Sequence, residues 1–173
     1  MKGSFGFIYE KLEIKILILF IMRRLPEPVS FDVLTEVTMS DDRISYFDYI
    51  ECLEDLVKTE HLRLINDTYF LTAKGARNCE ITENSLPYSV RINAENAASA
   101  SRTAMDRDAM IETSHTVTQD GGCTVSMTLS DGIGDVVSMN LFAANEQQAL
   151  KLEKGFRKNA ESIYSELIEM ILG

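Results

Sequence analysis

The sequence has little of what most enzyme and metal chemistry requires. Of 173 residues, three are cysteine and two histidine. Cys52, Cys79 and Cys123 are far apart and odd in number, which argues against a disulfide framework. No CxxC or Cys/His spacing suggests zinc. The cysteines are read as small packed hydrophobes in a reducing compartment, the cytoplasm being the simplest. His61 opens a strand-like segment and His115 has an inward-facing parity in another, so both are expected to be structural. There is no GxGxxG and no P-loop, and Gly132-Ile133-Gly134 reads as a turn between strands. Asp106, Asp108 and Glu112 fall where a helix frays and are read as solvated rather than as a cation site. The resulting expectation is a non-enzymatic chain with no cofactor and no metal.

Cations are also scarce. Lys and Arg number 17 against 27 Asp and Glu, for a net charge of −10. Non-specific nucleic-acid affinity comes from neutralised phosphates, so this balance argues against generic binding. Residues 1–82 hold ten Lys/Arg and fourteen Asp/Glu, net −4, and the remaining 91 residues are net −6, so neither half is basic. Long apolar runs are missing too. Ile14 to Met22 is nine residues long and contains Lys15, whereas a membrane span needs about 20. Arg23-Arg24 follows, with no small-residue cleavage site. A buried helix is expected, and no membrane association.

What is present is globular in composition, 45% hydrophobic and 25% charged. Tyr9 to Leu25 has helical spacing and ends at Pro26 and Pro28. Ser30 is a suitable N-cap for a second helix, Phe31 to Thr38. Ser40-Asp41-Asp42 is a turn. Ser45 can cap a third helix, with Asp48 in the capping-box position. On that helix Tyr46, Tyr49, Ile50, Leu53, Leu56 and Val57 form one apolar stripe, and Asp48, Glu51, Glu54, Asp55 and Lys58 lie off it. His61 to Ile65 alternates as a strand, with Leu62 and Leu64 on one side. Asn66-Asp67-Thr68 turns the chain, Tyr69 to Leu71 returns as a second strand, and Thr72 caps the next helix.

Three helices followed by a hairpin is the order of a winged helix-turn-helix. The segments LEIKILILFIMRRLPEPVSFDVL, SYFDYIECLEDLVKTEHL and YFLTAKG together resemble an uncharacterised bacterial, mainly clostridial, family of winged-helix proteins described only as a domain of unknown function. YFLTAKG alone is similar to the L-T-x-x-G that follows the wing in many winged-helix regulators, PadR-like ones included. The winged-helix resemblance covers about residues 5 to 82 and the family resemblance the whole chain. It implies an architecture and carries no established activity.

Residues 83–173 read as a second, α+β domain suited to dimerisation or ligand sensing. Pro87 sits in the first turn of a helix reaching about Met110, with a small-residue face of Val90, Ala94, Ala97, Ser101 and Ala104. Thr113 to Gln119, Cys123 to Leu129 and Asp135 to Phe142 are strand-like and separated by Gly-containing turns or loops, which predicts an antiparallel meander. Asn145 caps a final helix to Leu172, whose apolar positions from Ala149 to Met170 advance by threes and fours. That helix is about 40 Å long at 1.5 Å per residue, against about 23 Å for a seven-residue strand. Part of it is therefore expected to pack beyond the sheet, on the winged helix or on a second subunit. The fold class is α+β.

Two functions from different classes follow. A DNA-binding regulator would use Arg43, Ser45, Tyr46 and Tyr49 at the turn and third helix and Arg63 on the wing, with Lys11, Lys15 and Lys74 on the phosphate backbone and a homodimer formed through the C-terminal helices. The alternative is a protein-interaction module on the same scaffold, favoured by the row Asp48, Glu51, Asp55 on the helix that would enter the groove. The direction in which that row points discriminates the two.

Overall fold

The computed structural model describes residues 10–173. The expected helix start at Tyr9 lies outside the described residues. Two compact units form, one through Ala104 and one from Met105 to Gly173, so the division between them lies inside a helix.

The first unit is built around α1, Lys11–Met22. Every residue from Ile16 to Met22 is buried, as is Ile14, so the C-terminal half of this helix is apolar on all sides because it is enclosed on all sides. It packs against α2 (Phe31–Thr38), α3 (Tyr46–Lys58) and α4 (Ala73–Thr82). Among the described residues no helix is long and apolar enough to cross a membrane. Ser30 caps α2, its hydroxyl accepting from Val33 N at 3.3 Å. Thr38, the one fully buried polar side chain among the described residues, donates to Leu34 O at 2.7 Å and so stays satisfied.

The wing is β2 (Leu62–Ile65) and β3 (Thr68–Leu71), paired from Leu62↔Leu71 to Ile65↔Thr68. Asn66 and Asp67 form the two-residue loop with φ of 49° and 59°, the positive values a type I′ turn requires. A third strand, β1 (Val29–Ser30), pairs with β3 and gives the order β1-β3-β2. It was not expected from sequence, since two residues are too short for alternation to register. With it, the order α1-β1-α2-α3-β2-β3 is a complete winged helix-turn-helix. The hairpin is less two-sided than its alternation implied: Leu62 is buried, but Leu64 is exposed.

A short 3₁₀ turn at Glu83–Ser85 leads to α5, Tyr88–Ala109, which runs from one unit into the next. In the first unit its Val90 and Ala94 face Leu17, Val37 and Thr38. The second unit is the expected meander, β4 (Ile111–Val117), β5 (Cys123–Ser130) and β6 (Asp135–Ala143), covered on one face by α6, Glu146–Leu172. β4 begins two residues earlier than predicted because Ile111 belongs to the core. That core joins Ile111, Cys123, Val125, Met127 and Leu129 to Ala149, Phe156 and Ala160 of α6. Asn145 caps α6, accepting from Gln148 N at 2.9 Å. α6 bends at Asn159 (φ −123°, ψ 16°), and no residue beyond Ala160 is fully buried. His115 is hydrogen-bonded through Nδ1 to Glu153 Oε1 at 2.7 Å.

Candidate nucleic-acid interface

The residues proposed to read DNA belong to the turn before α3, its first turn and the wing. Ile44 is buried and anchors the turn. Asp41 accepts from Arg43 N at 3.2 Å and from Arg43 Nε at 2.6 Å, a local ring that holds the guanidinium beside its own turn. The Arg43 hydrogen bond holds the Asp41 carboxyl below its ordinary range. Arg43 is therefore at the surface but already committed to a carboxylate. Ser45 sits at the N-cap with extended backbone, but its side chain makes no cap hydrogen bond, in contrast to the capping expected of it. That hydroxyl stays exposed at the head of the helix.

Tyr46 and Tyr49 part company. Tyr46 is 48% exposed, so it is not a member of the core stripe as its spacing implied. Tyr49 is 0% exposed, and its hydroxyl meets Thr35 Oγ1 at 3.1 Å. Burial pushes its phenol up to about 12. Tyr49 is a core residue and cannot reach a base edge, which corrects its candidacy as a DNA contact. The buried stripe is Tyr49, Cys52, Leu53 and Leu56. Phe47, which the sequence reading overlooked, is 83% exposed and meets Tyr46 edge to face at 6.1 Å. Its signal was available: an aromatic residue off the apolar stripe, in the first turn of the third helix.

The acidic row points to α1. Lys11 Nζ lies 2.6 Å from Glu51 Oε2 and 3.9 Å from Asp48 Oδ1, and Lys15 Nζ lies 3.0 Å from Asp55 Oδ2. The hydrogen bond to Glu51 raises the Lys11 ammonium, and the one from Lys15 lowers the Asp55 carboxyl. Two consequences follow. The carboxylates have cations of α1 within ion-pair distance, and Lys11 and Lys15 are paired rather than offered to phosphates. Lys74 differs from them: it donates one hydrogen to Thr59 O at 2.7 Å and has no carboxylate partner among the described residues. On the wing Arg63 is opposite Phe70, exposed, and has no ion pair among the described residues. Exposed at the start of α3 are its N-cap Ser45 with Tyr46 and Phe47, and exposed on the wing is Arg63.

Among the described residues no group of three or more His, Cys, Asp or Glu could hold a metal ion. The three cysteines are buried and free, and burial raises the thiols of Cys52 and Cys79. No curated protein and no solved structure matches this sequence. One family does match, over residues 14–171, which take in both units almost entirely. The chain belongs to the family described as Domain of unknown function (DUF4364).

Proposed function

We propose that this protein is a non-enzymatic winged-helix regulator that binds duplex DNA with the head of α3 and the wing. The observation that carries the reading is the pairing of Asp48, Glu51 and Asp55. Each lies within ion-pair distance of Lys11 or Lys15 on α1, so its charge is partly compensated by a cation of this chain. The Coulomb objection to an acidic recognition helix is thereby reduced. Phe47 and Tyr46 offer apolar contact to thymine methyls, Ser45 a hydroxyl to phosphate, and Arg63 a cation to the backbone or minor groove. A homodimer through the C-terminal helices would supply a two-fold reader, and the exposed Ile168, Met170, Ile171 and Leu172 at the end of α6 support it. The cytoplasm is the compartment such a protein would occupy.

A second reading, a protein-interaction module, is favoured by one observation. Phe47 stands 83% exposed while Arg43 is already satisfied by Asp41, and an exposed aromatic with few free cations suits a protein partner better than a polyanion. Fluorescence anisotropy with a random-sequence duplex at low and moderate salt separates the two. The regulator reading expects binding at low salt that weakens with salt, a loss in Phe47→Ala, and a salt slope reduced by about 1 in Arg63→Gln. No binding at low salt, where phosphate attraction is strongest, leaves the interaction module as the function.

A further inference from the structure

The L-T-x-x-G segment does more than follow the wing. Thr72 Oγ1 donates to Glu60 O at 2.8 Å and accepts from Gly75 N at 3.0 Å, and Thr72 N donates to His61 O at 3.1 Å. Gly75 lies so close to the same carbonyl that an added Cβ would be 2.2 Å from His61 O. Together these clamp the start of α4 onto the His61 backbone and fix a cleft of about 390 Å³ lined by His61, Lys74, Arg77, Asn78 and Ile81.

The polar groups of this cleft converge. Thr59 Oγ1 donates to Asp55 O at 2.6 Å, so its contact with His61 Nδ1 at 2.9 Å must be accepted from the ring, which puts the proton on Nδ1. Nε2 then accepts from Asn78 Nδ2 at 2.9 Å, leaving the second amide hydrogen of Asn78 to another acceptor. Lys74 uses one hydrogen on Thr59 O and keeps two. Arg77, one turn along α4, is exposed and has no ion pair among the described residues. Among the described residues no carboxylate lines the cleft, in a chain whose net charge is −10. After burial, the charges acting on His61 are those of Lys74 and Lys15, and both lower its imidazole.

We propose that this cleft binds a phosphate group, held by Lys74, Arg77 and Asn78. Two full positive charges match a dianion, and three donors from three side chains match a tetrahedral oxyanion. A carboxylate would be satisfied by the Arg77 fork alone and leave Lys74 uncompensated. The site does not depend on DNA being bound at the head of α3.

His61 and His115 are the only two histidines, so ring-nitrogen NMR of the full chain reports on the site directly. Inorganic phosphate, titrated at constant ionic strength and at a pH where it is dianionic, should shift the His61 resonances saturably and leave those of His115 in place. Arg77→Gln should weaken that response about tenfold, as expected for the loss of a charge-assisted contact. Acetate should give no saturable shift. A phosphate titration without effect on His61, an equal response to acetate, or an undiminished response in Arg77→Gln each overturns the proposal. A duplex that shifts His61 with the same Arg77 dependence identifies nucleic-acid backbone as the source of the phosphate. A response to phosphate but not to duplex identifies a free phosphorylated ligand, and leaves the site standing where the DNA reading fails.

Discussion

Tyr49 lends itself to a quantitative test of where α3 faces. Its ring is fully buried and its phenol is pushed up to about 12 from an ordinary 10.0, chiefly by burial. The folded state therefore favours the neutral phenol. The stability tied to that preference is complete below pH 10 and is lost as pH rises towards 12. At about 1.4 kcal/mol per pH unit, the loss is about 3 kcal/mol, a sizeable part of a typical 5–15 kcal/mol. Tyr49→Phe removes the titration together with the Thr35 hydrogen bond, which costs about 1 kcal/mol at neutral pH. Urea unfolding of both proteins from pH 8 to 12 should show the variant less stable at first, equal near about pH 11, and more stable beyond. A gap between the two proteins that stays constant over this range would refute the argument, because it would mean the phenol ionises as freely in the folded chain as in the unfolded one.

Other perturbations have equally definite outcomes. Gly75→Ala drives a methyl against the His61 carbonyl and should cost about 1–3 kcal/mol, read as a lowered thermal midpoint. Phe156→Ala empties the centre of the second unit's core and should cost about 3–5 kcal/mol by urea unfolding. Lys15→Gln unpairs Asp55 and should lower the urea midpoint at low salt by more than at high salt, since salt still reaches and screens a half-buried pair. Phe47→Ala, at a site 83% exposed, should leave stability within about 0.5 kcal/mol while altering whatever partner the head of α3 binds.

Most of the architecture was legible because it rests on local signals. Ser30, Thr72 and Asn145 capped three helices with their side chains, and alternation marked β5, whereas the first helix stops at Met22, short of the Leu25 that Pro26 predicted. The misreadings have a common cause. Periodicity says that a face is apolar but not how wide its buried part is, so Tyr46 was assigned to a stripe that actually begins at Tyr49, and the exposed Phe47 went unnoticed. The two-residue β1 exists only because β3 lies beside it.

By itself, then, the amino-acid sequence determined most of the helices and strands and that the chain is acidic, because caps, turn residues and periodicity act over a few neighbours. Which charges are free was decided only by tertiary structure. Asp48, Glu51 and Asp55 read as a hostile row on a recognition helix until α1 brought Lys11 and Lys15 within ion-pair distance, about 40 residues away in sequence. Arg77 was one cation among many until the Thr72 and Gly75 clamp set it beside Lys74 and His61. Charge is carried by a residue type, but its availability depends on a partner that only folding brings near.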